Sequence, residues 1–130
     1  MFGDAIDYER VRIHAAKWWP FQPRRVAMSP NGHIWFHPEG GLFRDCYADC
    51  ALSDQGLFIH EMTHVWQHQR GVYLPLARHP FCRYHYSIRL GWSLERYGLE
   101  QQAEIVRHAF LAERGVRLAS IPPRSLLPFA

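Results

Sequence analysis

In the stretch LFIHEMTHVWQHQRG, residues 57–71, two histidines and a glutamate stand at spacings that suit metal chemistry. His60 and His64 lie four apart, so on a helix both imidazoles rise from one face and can aim a nitrogen at one point. Zinc binds histidine nitrogen at about 2.0–2.1 Å, and a catalytic zinc takes three protein ligands and leaves a fourth position for water. Glu61, beside the first histidine, is placed to take a proton from such a water without itself ligating the metal. A chain with 9 histidines yields about 0.03 chance copies of His-Glu-x-x-His, so the motif merits a search for its missing third ligand.

That ligand is sought in YGLEQQAEIVRHAF, where Glu100 and Glu104 lie four apart on one helical face. Two carboxylates so placed repel each other mildly, and a bound cation reverses the sign. The division of labour expected is Glu100 on the metal and Glu104 accepting a histidine N–H, which fixes the tautomer and orientation of that ring. The inverse assignment, with Glu104 ligating, is the alternative. His68 repeats the four-residue interval but sits one further turn, about 5.4 Å, along the axis, and is read as a polar or supporting residue. A His-x-x-Gly-x-x-His continuation is excluded, because Gln67 stands at the glycine position and Arg70 at the histidine position. The competing view makes His60 and His64 satisfied side chains of an ordinary helix, and Glu100 and Glu104 a solvated face. Against it, Ile59, Met62, Val65 and Trp66 place the first helix in a core, where an unpartnered Glu61 carboxylate is costly.

The elements that must position these groups can be read along the chain. Residues 1–23 carry Val11, Ala15 and Trp18 near one helical face and end at Pro20 and Pro23, which predicts a helix. Val26–Met28 and Ile34–Phe36 flank SPNG, a turn sequence, and predict a β-hairpin. Residues 42–53 read as a loop with a short strand, after which Ser53 or Asp54 caps a helix that ends at Gly71. Tyr84, Tyr86, Ile88 and Leu90 alternate with polar residues and suggest a strand. A second helix runs from about Leu99 to Glu113 and stops at Gly115, and the tail, residues 114–130, is proline-rich and reads as extended. The expected fold is a single α+β domain over residues 1–130, with a short antiparallel sheet from 24–37 and 83–90 packed on two helices.

Composition excludes several classes. An apolar fraction of 48% and an aromatic fraction of 15% indicate a folded globular chain. The charge of +3 comes from scattered arginines interleaved with acids, so no nucleic-acid partner is expected. No apolar run is long enough for a membrane span. The N-terminus lacks the pattern of a secretory signal, which predicts a cytoplasmic protein, with export by a signal-independent route left open. Cys46, Cys50 and Cys82 are an odd number and are read as buried thiols rather than a disulfide framework. A structural zinc site from these cysteines and His85 is a minor alternative. The five tryptophans, Trp18, Trp19, Trp35, Trp66 and Trp92, are read as packing residues. Tyr84, His85, Tyr86 and Tyr97 precede the second helix and are all candidates for a donor that steadies a developing oxyanion; the sequence does not choose among them.

His60-Glu61-Met62-Thr63-His64 followed by Glu100-Gln101-Gln102-Ala103-Glu104, with 35 residues between His64 and Glu100, resembles the gluzincin class of zinc metallopeptidases. In several gluzincin families a second helix bears Glu-x-x-Ala-Glu or Glu-x-x-Ala-Asp, and its leading glutamate is the third ligand. More narrowly, GLFIHEMTHVWQHQ with LEQQAEIV is similar to small bacterial proteins labelled valine–glycine-repeat-related. It is also similar to peptidase-like domains found near contractile injection and type VI secretion systems. The resemblance covers about residues 25–113. It implies a zincin-like domain holding one zinc ion on His60, His64 and Glu100. It further implies hydrolysis of a peptide or protein substrate through a zinc-bound water activated by Glu61. An edge strand beside the metal, here HIWFH, would hold the substrate by main-chain hydrogen bonds. The alternative it leaves open is a non-catalytic zinc-binding module, structural or accessory, of a bacterial secretion system.

Overall fold

The apolar runs on either side of SPNG pair as strands. The computed structural model describes residues 1–74 and 83–129 and contains β1 (Ile13–His14), β2 (Ala27–Met28) and β3 (Ile34–Phe36) in the order β1-β3-β2. β2 and β3 are antiparallel, with Ala27 opposite Phe36 and Met28 opposite Trp35. Gln22, 3% exposed, locks the approach to this hairpin: its Nε2 donates to the carbonyls of Val26 and Trp35, both at 2.9 Å.

The sheet is mixed rather than antiparallel, because β1 runs parallel to β3 with Ile13 opposite Ile34. The helix expected over residues 1–23 does not form. Short 3-10 turns at Gly3–Ala5 and Tyr8–Arg10 precede β1 instead. The physical reason is that Val11 and Ile13 are β-branched and fit a pleated surface better than a helix. The Arg12 carbonyl then accepts from the Ile34 N–H at 3.0 Å. Trp18 and Trp19, which a helix would have turned toward a core, remain 40% and 44% exposed. β3 is consequently the central strand, paired on both sides, and β1 and β2 are the edge strands instead.

Residues 83–90 form no strand either. Their backbone groups are met by side chains: Gln101 Nε2 donates to the His85 carbonyl at 2.7 Å, and the Arg89 N–H donates to Tyr97 Oη at 2.9 Å. Residues 42–51 contain no strand; there Tyr47 is buried, its ring stacked 4.6 Å from Phe58. Cys46 is exposed and Cys50 half-buried, contrary to the buried thiols expected, because Tyr47 between them takes the inward position. Cys82 lies outside the described residues.

Helix α1 spans Leu52–Gln69 and α2 spans Leu99–Glu113. α1 starts before the expected cap: Ala51 is the N-cap with no side-chain bond, while Ser53 and Asp54 lie inside the first turn. Asp54 there suits the positive helix end and pairs with Arg44 at 3.3 Å. Both helices end alike. Gly71 and Gly115 adopt φ of 89° and 81°. Val72 N–H returns to the Gln67 carbonyl at 3.1 Å, as Val116 N–H does to Leu111 at 3.1 Å. This satisfies the last carbonyls and fixes where each helix stops.

The two helices pack along faces that bring Met62, Val65 and Trp66 together with Ile105, Val106 and Ala109 in one cluster that includes Ile34 and Phe36 of the sheet. Glycine is required where the hairpin turn meets α1. A Cβ at Gly32, whose φ is 83°, would come within 2.6 Å of His68 Cδ2. The tail is not merely extended: a 3-10 turn at Arg124–Leu126 returns Leu127 and Phe129 to the core. Phe129 lies 4.8 Å from the Phe2 ring and 5.4 Å from Trp66, so both chain ends close over α1. No described helix is long and apolar enough to cross a membrane.

Truncating Phe129→Ala should therefore lower unfolding stability by about 3 kcal/mol. Urea titration followed by tryptophan fluorescence should show the midpoint falling with little change in slope.

Candidate metal centre

Helical spacing puts His60 and His64 on the face of α1 that meets α2, and Glu100 faces them from the first turn of α2. All three are buried, at 5%, 0% and 2% exposure. His60 Nε2 lies 3.1 Å from Glu100 Oε2, His64 Nε2 lies 3.2 Å from the same oxygen, and the two Nε2 atoms are 3.3 Å apart. Such a triangle is not explained by hydrogen bonds alone, since each imidazole nitrogen carries at most one proton and aims it along one direction. Donors placed tetrahedrally about 2.0–2.1 Å from a metal stand roughly 3.3–3.4 Å from one another. The triangle matches that edge, and two imidazoles with one carboxylate suit a divalent cation.

The outer nitrogen of each ring is held. His60 Nδ1 donates to Glu104 Oε1 at 2.7 Å, and His64 Nδ1 donates to Gln67 Oε1 at 2.8 Å. Gln67 is itself fixed, since its Nε2 donates to Gln102 Oε1 at 2.9 Å and to the Leu99 carbonyl at 3.1 Å. Gln102 completes the chain by donating to the Tyr97 carbonyl at 2.8 Å. With Nδ1–H engaged on both rings, both Nε2 atoms point their lone pairs at the centre of the triangle. Without a metal a proton takes this place. Burial would lower the His60 pKa, but hydrogen bonds to Glu100 and Glu104 and the charge of Glu61 outweigh it and raise the pKa to about 9. Burial pulls Glu104 upward, yet its bonds to His60 and the charges of Arg107 and His108 hold it below 4.5.

Glu61, 4% exposed, accepts a bond from Ser29 Oγ, in the hairpin, at 2.7 Å. It lines a cleft of about 370 Å³ together with His60, Glu104 and Arg107. Val26 and Ala27, at the edge strand β2, line it too, as do Arg25 and Tyr84. Among the aromatic candidates for a donor, Tyr84 is the one in this cleft, its ring stacked 6.1 Å from that of His60. The other three are placed elsewhere. The Tyr97 hydroxyl is taken by the Arg89 N–H in a buried site. Tyr86, whose hydroxyl burial and Glu104 push up to about 12, donates to His108 Nδ1 at 2.6 Å. His85 is exposed and engaged through its carbonyl by Gln101.

His68 does not join the triangle; it lies under the hairpin turn at Gly32. Gln67 and Ser29 are the site residues that the sequence reading gave no role. Gln67 was discoverable, since it stands three residues after His64 on the same helical face. Ser29 was hidden by its place in a turn, where serine has a local reason to occur.

No family model matches the chain. It is 43% identical over 132 residues to the type VI secretion system spike protein VgrG2b of Pseudomonas aeruginosa, a match that covers 95% of this chain and 13% of that protein. The chain thus spans about an eighth of the length of this relative. Among solved structures, the effector domain of Pseudomonas aeruginosa VgrG2b superposes with a TM-score of 0.79 at 42% identity, over 86% of this chain and 66% of that one. At this identity over nearly its whole length, the chain is homologous to that effector domain.

Two outcomes are expected of the centre. Since His60 rises from 6.5 to about 9, its contribution to metal-free stability is full below pH 6.5 and is lost as pH climbs through 9. Thermal melts in chelator should therefore fall across that window, whereas added zinc should abolish the loss by replacing the proton. Substituting Gln67→Ala should weaken metal affinity by about tenfold to a hundredfold in a chelator competition, with the helices intact by circular dichroism.

Proposed function

We propose that this homologue of the VgrG2b effector domain is a zinc metallopeptidase of the gluzincin type, zincin-like in fold, that serves type VI secretion. The observation that carries the reading is the buried triangle of His60 Nε2, His64 Nε2 and Glu100 Oε2, with Glu61 on the cleft beside it. When bound, zinc would supply Lewis acidity to a water and to the scissile carbonyl. The remaining steps belong to the protein. Glu61 takes the proton of the attacking water and passes it to the leaving nitrogen. Ser29 holds Glu61 Oε2 and leaves Oε1 to do this work. Glu104 and Gln67 keep the two ligand imidazoles in the tautomer that presents Nε2. Tyr84 in the cleft is the residue placed to donate to the developing oxyanion. A peptide or protein substrate would lie along the edge strand β2, whose residues 26 and 27 border the cleft. Delivery would follow the secretion apparatus, as the homology to a domain of a spike protein suggests.

The second reading, a non-catalytic zinc module of the same apparatus, needs a fourth protein ligand. Among the described residues the cluster offers three. His68 is held under the hairpin, while His85 and Cys46 are exposed. Cys82 lies outside the described residues, so a ligand count in a zinc-loaded crystal separates the readings.

Replacing Glu61→Gln should cut peptide hydrolysis at least about a hundredfold while one zinc per chain is retained by atomic absorption. Hydrolysis that persists in this variant sinks the mechanism.

A further inference from the structure

We propose that Arg25 and Arg107 form a carboxylate-binding subsite in the cleft, so that the domain selects peptides carrying an acidic side chain or a free C-terminal carboxylate near the bound segment. Both arginines line the cleft that His60 and Glu61 line. Neither charge is fully answered by the protein. Arg107 Nη1 meets Glu104 Oε1 at 3.3 Å, but that same oxygen accepts from His60 Nδ1 at 2.7 Å. The other oxygen of Glu104 faces His108 Nε2 at 3.5 Å. One carboxylate thus serves three cationic or N–H partners, and Arg107 Nε is buried with no hydrogen-bond partner. Arg25 is exposed and makes no ion pair among the described residues, whereas its neighbour Arg24 is paired with Glu39 at 3.2 Å. The remaining acid of the cleft, Glu61, is already bonded to Ser29.

Position is set as well as charge. A Cβ at Gly56 would stand 3.3 Å from Arg107 Nε and as close to Leu111, so a side chain there would crowd the guanidinium. A guanidinium held in advance loses little freedom on binding, and its planar fork matches a carboxylate. Lysine or arginine on a substrate would meet like charge at the same place. The location beside the scissile bond rests on the peptidase reading; the preference for a carboxylate does not.

The test uses the full zinc-loaded Glu61→Gln chain, which holds peptides uncut, and fluorescein-labelled peptides. One series is blocked at both ends and carries Glu, Gln or Lys at successive positions; another is the Gln series with a free C-terminal carboxylate. Anisotropy should show one Glu position binding about tenfold tighter than Gln, with Lys weaker than either, and the gap should shrink in high salt. A gain confined to the free-carboxylate series identifies the chain end as the group bound. Arg25→Glu, at an exposed position, should erase or reverse the preference, and Arg107→Gln should erase it with zinc content unchanged. Equal binding of Glu, Gln and Lys peptides overturns the subsite, as does a preference that survives both substitutions or a failure to bind any peptide. If wild-type protein binds acidic peptides yet cuts none, the peptidase reading falls and the subsite stands. Should it cut acidic and neutral peptides equally well, the subsite falls and the peptidase reading stands.

Discussion

A buried carboxylate with two imidazole nitrogens closing on one of its oxygens is the constraint on which this structure turns. Glu100 is 2% exposed, and its Oε2 stands 3.1 and 3.2 Å from the ring nitrogens of His60 and His64. Removing such a charge from water costs several kcal/mol unless a cation answers it at close range. Either a proton on His60 or a divalent ion in the triangle can do so. The two compete for the same lone pairs, so metal loading and protonation are opposed at this site. The polar groups packed around it make sense as the arrangement that keeps this competition local.

The helices meet this constraint by giving up much of their contact face to polar groups. Six of the buried residues of α1, His60, Glu61, Thr63, His64, Gln67 and Gly56, are not ordinary core residues. Apolar packing is left to Met62, Val65 and Trp66 and to the α2 face built on Ile105, Val106 and Ala109. The buried polar side chains of α1, His60, Glu61, Thr63, His64 and Gln67, are each tied to a partner. Thr63 Oγ1 donates to the Ile59 carbonyl at 2.9 Å, and Gln67 and Gln102 link the two helices. Hydrogen-bonded groups of this kind fix one register between helices, because a slip leaves buried donors unmet. The ends of both helices, set by Gly71 and Gly115, hold that register from outside the site.

How much of this was legible in the sequence depended on whether a residue's task was local. The four-residue spacings of His60 with His64 and Glu100 with Glu104 follow from helix geometry, and the structure brings these four side chains together. The hairpin over residues 26–36 and both helix-ending glycines were equally readable, since turns and caps are decided by near neighbours. Elements stabilised from a distance were not. β1 exists because β3 offers it a parallel partner some twenty residues away, and no periodicity within residues 1–23 announces that. The alternation of Tyr84, Tyr86, Ile88 and Leu90 looked like a strand, yet its backbone is met by Gln101 and Tyr97. The same distance hid Ser29, Arg25 and Arg107, whose importance lies in what α1 and α2 place opposite them.

The bond between Ser29 and Glu61 joins two parts of the molecule that the chain keeps far apart. Ser29 directly follows β2, and Glu61 sits in the middle of α1. Sheet edge and helix are therefore mechanically latched at one hydroxyl. A shift of the chain just after that strand would be felt first at the Glu61 carboxylate.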